Sequence, residues 1–210
     1  MSIFSRLAEK SWLTPGADYD DPTGYRPSAG RVAMVVYFVV ATVIFGLVSS
    51  AYVMRMGMPG MGHGPVGDWR PMPEPPLLWV NTGILLLASL AWEAARSALR
   101  RGRVDGARGA LIGAGLLGLA FLAGQLLLWR QYGEAGYYLQ SNPANSFFYL
   151  ITGLHGAHLI AGLFFWLRAY ARAGDRTDAF AAGQAVDVSA AYWHFLLLVW
   201  LVMLGLLVST

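Results

Sequence analysis

Long apolar runs alternate with shorter polar segments along the chain, and five of these runs predict membrane-spanning helices. Each run is 20 to 23 residues long, which is enough to cross about 30 Å of hydrocarbon at about 1.5 Å per residue. Apolar residues fill these runs and do not repeat at amphipathic spacing. The predicted spans are residues 32–54, 77–99, 109–129, 147–167 and 189–208. We therefore predict an all-α fold with a polar tail (1–31) and a single five-helix membrane domain (32–208).

Composition supports a membrane protein and excludes an ordinary soluble domain. Of the 210 residues, 56% are apolar and only 13% are charged, whereas about a quarter of the residues in a soluble domain are charged. There are no cysteines, which excludes disulfides and thiolate-bound metals. The tail shows no cleavable signal sequence, so we expect none. The tail is expected to form either a short helix on the membrane surface or a loosely ordered segment.

Basic residues are distributed unevenly between the two sides of the predicted bundle. The tail, the second connection and the fourth connection hold 12 of the 15 Lys and Arg residues, and the other side holds Arg55, Arg70 and Arg130. The positive-inside rule then places the N-terminus in the cytoplasm and the C-terminus outside. Topology alone accounts for the net charge of +3, and nucleic acid is not an expected partner.

The loop after the first span combines methionines with a histidine. Met54, Met56, Met58, Met61 and His63 are side chains that could bind a soft ion such as Cu(I). The alternative is an apolar loop packed over the bundle, because methionine fills irregular gaps well. We favour the packing interpretation for segment 54–63.

Glycines are frequent in the third and fourth predicted spans. Small residues allow helices to approach closely where lipid provides no hydrophobic drive for association. We interpret these glycines as packing positions of a tight bundle. They are Gly109, Gly113, Gly115, Gly118, Gly124, Gly153, Gly156 and Gly162.

Ionisable residues in the spans are the candidate functional residues, because charges inside a membrane are costly. They are Glu93, His155, His158 and His194, with Asp187 at the cytoplasmic end of the last span. Three histidines could hold a metal, but no carboxylate or thiolate clearly completes the ligand set. We favour hydrogen bonds between helices, with His155 and His158 on one helix face. For Glu93, an interfacial salt bridge with the following basic cluster is favoured over proton handling.

Two stretches resemble subunit III of haem–copper oxidases of the cytochrome c oxidase type. One is FFYLITGLHGAHLIAG (147–162) and the other is DVSAAYWHFLLLVWL (187–201). The family carries T-G-x-H-G-x-H in one span and E-x-x-x-x-Y-W-H-F-x-x-x-x-W in the last. PLLWVNT (76–82) and Gln125 also fit the family pattern, so the resemblance covers residues 31–208 in order. The matching residues in the two main motifs are Thr152, Gly153, His155, Gly156, His158, Tyr192, Trp193, His194, Phe195 and Trp200.

The chain departs from the family pattern at carboxylate positions. Many members carry a glutamate in the first of these five spans, and Ala41 stands there in this chain. Leu197 replaces an acid that often follows the H-F pair, and Asp187 replaces a glutamate. Family members often have seven spans, and this chain matches the last five. A proton-collecting role of the missing glutamate is therefore not transferred to this chain.

The resemblance implies an accessory subunit without haem, copper or catalytic residues of its own. Its implied partners are the haem–copper catalytic subunit I, the copper-bearing subunit II and phospholipid held between its helices, in a bacterial inner membrane. The oxidase as a whole would pass electrons to O₂ and pump protons. Its implied contribution is to stabilise the catalytic subunit and support proton uptake. The nearest alternative is an accessory subunit of a quinol oxidase or a nitric oxide reductase.

A transporter with a histidine proton relay is the alternative from a different functional class. Such a fold would need broken helices or an internal repeat near the middle of the membrane, and we find neither in the sequence. The sequence also contains no phosphate loop, nucleophile elbow or dinucleotide fingerprint. We therefore expect the chain to catalyse nothing by itself.

The expected topology can be tested with cysteines placed at the two ends of the chain. Because the chain has no native cysteine, a cysteine at Ser2 or at Ser209 provides a single labelling site. An impermeant maleimide should label Ser209→Cys from outside and Ser2→Cys only after the membrane is opened. Equal labelling of both variants in intact cells would contradict an odd number of spans.

Overall fold

The computed structural model describes residues 29–57, 69, 72–174 and 179–209. This part of the chain forms five α-helices and contains no β-strand. All five are long and apolar enough to cross a membrane, as predicted. The tail and most of the loop with Met58, Met61 and His63 lie outside the described residues. The helices are α1 (Ala29–Gly57), α2 (Pro76–Arg100), α3 (Val104–Glu134), α4 (Pro143–Ala173) and α5 (Ala179–Val208).

The helices are longer than the apolar runs that predicted them. Helix α3 has 31 residues, although its apolar run covers only 109–129. An apolar run ends where hydrocarbon ends, but backbone hydrogen bonding continues into the polar zone beyond it. Polar residues at helix ends, such as Arg130 and Glu134, therefore belong to the helices.

Four helices form a closed ring, and the first helix packs outside it. Helix α2 packs against α3, α3 against α4, α4 against α5, and α5 returns to α2. Among the described helices, α1 packs against α4 and α5. In the most apolar 18-residue stretch of α1, 17% of the residues are buried. In the corresponding stretches of the other four helices, 28% to 44% are buried. The four-helix ring is therefore the core, and α1 is peripheral.

Helix ends are set by prolines and glycines in the connections. Pro76 and Pro143 are the first residues of α2 and α4, where a missing backbone N–H costs no helical hydrogen bond. The Asn142 side chain also accepts a hydrogen bond from the Ala144 backbone N–H at 3.0 Å, which caps α4. Gly102, after α2, has a φ of 70°, which glycine adopts without steric cost. This tight turn places α2 and α3 side by side.

Four glycines form notches that receive large side chains from neighbouring helices. A Cβ atom at Gly118 would lie 2.5 Å from the Trp193 ring, and one at Gly162 would lie 2.9 Å from the Tyr192 ring. A Cβ at Gly115 or Gly124 would also overlap a side chain, that of Trp166 or of Asn81. The close approach is thus between a helix backbone and a side chain of its neighbour.

The prediction that all the glycines are packing positions is wrong for three of them. A Cβ added at Gly109, Gly113 or Gly156 would have nothing within 4 Å outside its own helix. These three glycines lie on parts of their helices that do not contact a neighbouring described helix. Glycine content alone does not distinguish the two faces of a helix, and only the positions opposite bulky side chains are constrained.

The notch at Gly118 gives a test with a matched control. We expect Gly118→Ala to lower the free energy of unfolding by about 1–3 kcal/mol, because the buried Trp193 ring cannot move away without disturbing its neighbours. Gly113→Ala, on the same helix with open space around it, should leave stability unchanged or slightly raised. Thermal unfolding of the purified protein in detergent measures both. Equal melting temperatures for the two variants would contradict the notch.

Candidate functional site

A chain of hydrogen bonds joins α2 and α5 along the line where they meet. Ser89 Oγ lies 2.6 Å from His194 Nδ1, and His194 Nε2 lies 2.8 Å from Glu93 Oε1. Arg96 then bridges two carboxylates, with Nη1 2.6 Å from Glu93 Oε1 and Nε 2.8 Å from Asp187 Oδ1. We call these five residues the polar seam.

The polar seam runs from one end of the bundle into the membrane-spanning region. Asp187 and Arg96 lie at the end where α2 terminates at Arg100, and Arg100 Nη2 is 3.9 Å from Asp187 Oδ1. Glu93 is about 10 Å, and Ser89 about 16 Å, further along α2. His194 is near the middle of α5, 14 residues before Val208. The seam thus begins with Asp187 and Arg96 at the basic end and continues inward through Glu93 and His194 to Ser89.

Each ring nitrogen of His194 has one partner in the polar seam. The Nε2–H donates to the Glu93 carboxylate, and Nδ1 shares a hydrogen bond with the Ser89 hydroxyl. This arrangement resembles a hydrogen-bonded Ser–His–acid series. It lies between two packed helices on a partly exposed face.

His155 lies in the centre of the four-helix ring, where its imidazole is completely buried. Its ring centre is 5.8 Å from that of Phe121 and 5.1 Å from that of Trp200. The Trp200 indole N–H donates to Thr82 Oγ1 at 3.0 Å, which fixes the ring on which His155 packs. Neither nitrogen of His155 has a hydrogen-bond partner among the described residues. The hydrogen bond between helices that the sequence predicts for His155 is therefore absent among the described residues.

His158 has a different environment, one turn further along α4. Its Nδ1 lies 2.7 Å from the Leu154 carbonyl oxygen of its own helix. Its ring lies against Tyr37 and Phe45 of α1, at centre distances of 6.0 and 5.3 Å. The bond expected for His158 is present within α4, not between helices. His155 thus packs into the ring of four helices and His158 contacts the peripheral helix.

Trp193 and Gln125, two further residues of the family pattern, are buried. Trp193 fills the notch at Gly118, and its indole nitrogen has no partner among the described residues. Gln125 is 4% exposed, and neither its amide oxygen nor its nitrogen is bonded to a described residue. Trp193 and Gln125 therefore lie inside the bundle, away from the polar seam.

Several polar residues that connect helices were not predicted from the sequence. The Trp129 indole N–H donates to Thr152 Oγ1 at 3.1 Å, which joins α3 to α4. Ser89 was not singled out, although it lies four residues before Glu93 and hence on the same face of α2. Its position one helical turn from an ionisable residue is the signal in the sequence that indicates it.

Comparison with known proteins identifies the family. The family model for cytochrome c oxidase subunit III matches residues 30–208. This chain belongs to the cytochrome c oxidase subunit III family. A probable cytochrome c oxidase subunit 3 of Mycobacterium tuberculosis is 28% identical over 179 residues, which cover 84% of this chain and 85% of that protein.

Two further relatives have the same name and similar coverage. Cytochrome c oxidase subunit 3 of Corynebacterium diphtheriae is 30% identical over 177 residues, covering 84% of this chain and 85% of that protein. The corresponding protein of Thermostichus vulcanus is 28% identical over 186 residues, covering 86% and 87%. The chain is thus a multi-pass membrane protein of the haem–copper oxidase subunit III type, with a place in the respiratory chain that follows from its family.

The position of the family's missing carboxylate is closed to solvent and lipid in this member. Ala41 is 2% exposed, and the described part of α1 contains no acidic residue. Leu197 is half-buried on α5. In the described residues, no group of three or more His, Cys, Asp or Glu side chains is arranged to hold a metal ion. The acidic side chains of the polar seam, Glu93 and Asp187, belong instead to α2 and α5.

The environment of His155 predicts that its ring shape matters more than its nitrogens. We expect His155→Phe to stay within about 1 kcal/mol of the native stability, since an apolar ring of similar shape replaces two unpaired nitrogens. His155→Ala should cost about 2–4 kcal/mol, because the aromatic neighbours cannot fill the space it leaves. Thermal unfolding in detergent compares the two variants. A loss for His155→Phe as large as that for His155→Ala would show that a nitrogen is bonded.

Proposed function

We propose that this chain is the accessory subunit III of a haem–copper terminal oxidase of the cytochrome c oxidase type in a bacterial inner membrane. The observation that carries this proposal is the family match over the whole membrane domain, residues 30–208. It would assemble with the haem–copper catalytic subunit I and the copper-bearing subunit II. Haem and copper belong to those partners, and the oxidase as a whole would reduce O₂ and pump protons.

The proposed contribution to the complex is mechanical support of the catalytic subunit. The aromatic side chains packed into glycine notches make the ring of four helices a tightly packed body, which suits a scaffold. Exposed apolar side chains surround it on most sides, so large surfaces remain for lipid and for other subunits.

Phospholipid is the proposed occupant of a cavity between α1, α4 and α5. The cavity has a volume of about 530 Å³, and apolar residues including Phe165 and Val188 form most of its lining. Arg168 and Arg172 lie at its rim. Guanidinium groups bind phosphate, and an acyl chain fits an apolar groove. The loose attachment of α1 to the ring leaves this space open.

Support of proton uptake is also proposed, but not through the first span. Ala41 replaces the carboxylate that many family members carry there, so α1 has no acidic group to collect protons. Support of proton uptake by this chain would instead come from stabilising the structure of the neighbouring catalytic subunit.

An accessory subunit of a quinol oxidase or a nitric oxide reductase is the second candidate. The loss of the carboxylate at Ala41 favours a divergent partner of this kind. In both candidates the chain lies beside a catalytic subunit. The two complexes differ in the metal centres that this subunit holds. The visible spectrum of the complex purified through this chain distinguishes them, because copper and haem content differ between the partners.

Deletion of the chain tests the accessory role. We expect the complex without it to retain its haem and copper and its initial electron-transfer rate, because the redox centres lie in the other subunits. Faster inactivation during turnover and less bound phospholipid should follow. Difference spectra, metal analysis and oxygen consumption over time measure these effects. Loss of all haem on deletion would instead place this chain in the catalytic core.

A further inference from the structure

Two exposed arginines lie at the rim of the cavity between α1, α4 and α5. Arg168 and Arg172 are four residues apart on α4, which places both on one side of this helix. We call these two residues the arginine rim. Among the described residues, the lining of the cavity contains no acidic side chain. The acidic side chains of the described ion pairs lie elsewhere, with Glu93 and Asp187 in the polar seam and Glu134 on α3. The arginine rim therefore presents two positive charges that no described carboxylate balances.

The N-terminal tail joins the bundle beside the arginine rim. Gly30 and Ala33, near the start of α1, line the same cavity as Arg168 and Arg172. The tail precedes this helix directly, since α1 begins at Ala29. A charged segment a short distance before residue 29 is therefore tethered next to the two arginines.

The sequence of the tail contains such a segment. Residues 18–21, here called the acidic stretch, read DYDD and place three carboxylates in four positions. Gly30 is nine positions after Asp21, and nine extended residues span up to about 30 Å. A short tether also gives a high effective concentration of the attached group, about mM for flexible linkers. The acidic stretch is therefore within reach of the arginine rim, and its tether favours binding there.

We propose that the acidic stretch docks on the arginine rim and competes there with the phosphate of the phospholipid in the cavity. Guanidinium groups bind carboxylate and phosphate with the same bidentate geometry, so the two anions exclude each other at Arg168 and Arg172. The docked tail withholds the arginines from the lipid, and the tail thereby regulates how firmly the cavity retains lipid. This inference rests on the proposed function, since it takes phospholipid to be the occupant of the cavity.

Charge favours the tail over the connection between α4 and α5 as the partner of the arginine rim. Residues 175–178 of that connection read DRTD, so a basic residue lies between its two carboxylates. The acidic stretch contains three carboxylates and no basic residue. It therefore also carries more negative charge than the single phosphodiester group of a lipid, and two arginines attract it more strongly.

Disulfide cross-linking tests the docking, because the chain contains no native cysteine. Tyr19→Cys lies within the acidic stretch, and Ala171→Cys lies at an exposed position of α4 next to both arginines. With a mild oxidant, this pair should cross-link within one chain several-fold faster than Tyr19→Cys paired with Gly106→Cys. Gly106 is the control because it is exposed at the same end of the bundle, on α3, which does not pack against α1 among the described residues. Equal cross-linking rates of the two pairs overturn the docking.

Charge reversal tests the pairing in the chain that carries the first cysteine pair. Arg168→Glu together with Arg172→Glu should slow cross-linking several-fold, because the acidic stretch then meets like charge. Lysine in place of all three aspartates of the acidic stretch should restore the rate in this background. Arg101→Glu together with Arg103→Glu, between α2 and α3 at the same end of the bundle, is the matched control and should leave the rate unchanged. Equal slowing by both pairs of substitutions, or no rescue by the lysines, overturns the pairing. Equal melting temperatures show that the variants fold.

Lipid titration tests the competition. The full chain is titrated with phosphatidylglycerol in detergent micelles, and bound lipid is counted by mass spectrometry of the intact protein. Asparagine in place of all three aspartates of the acidic stretch should raise the affinity for this lipid several-fold. Arg168→Gln together with Arg172→Gln should lower it. Phosphatidylcholine, whose phosphate is balanced by its own cation, is the control lipid and should respond less to both sets of substitutions.

The outcomes distinguish the tail from the lipid site. Loss of lipid from the glutamine variant without a gain in the asparagine variant overturns the competition and leaves the proposed lipid site intact. Equal lipid binding by the native chain and the glutamine variant overturns the proposed lipid site, and the regulation with it. Faster cross-linking of the tail to α4 than to α3 supports the docking in either case.

Discussion

The bundle depends on the fit of large side chains into helix backbones that lack a Cβ atom. In a membrane, burial of apolar surface gives little drive for helix association, because lipid tails are as apolar as leucine. Packing must then come from contact area and a few interhelical hydrogen bonds. The notches at Gly118 and Gly162, which receive Trp193 and Tyr192, provide that contact. Because both side chains belong to α5, this helix depends on its fit against α3 and α4.

Polar groups inside the bundle are used in two ways. Some join helices directly, as when the Trp200 indole donates to Thr82. Others, including His155 and Gln125, are buried without a partner among the described residues. The former contribute to stability, whereas the latter carry a desolvation cost that packing must offset. The family motif therefore does not describe a single kind of site, since its two histidines on α4 have different environments.

The sequence was sufficient to predict the number and type of helices, because the bilayer imposes both the length and the apolar character of each span. It also pointed to Glu93 and His194, since ionisable residues are rare in such runs. It did not show that the two are bonded, because pairing between α2 and α5 depends on the order of helices around the ring. The same limit applies to the glycines: Gly113 and Gly118 look equivalent in sequence, and only the neighbouring helix distinguishes them.

The peripheral position of α1 has a consequence for biosynthesis. Ribosomes release this helix first, yet the surfaces it packs against belong to α4 and α5, which are released last. During translation the first helix must therefore remain in lipid while more than a hundred later residues are inserted. A chain truncated before α5 would lack one of the two docking helices of α1. Helix α1 is thus synthesised well before the two helices that it packs against.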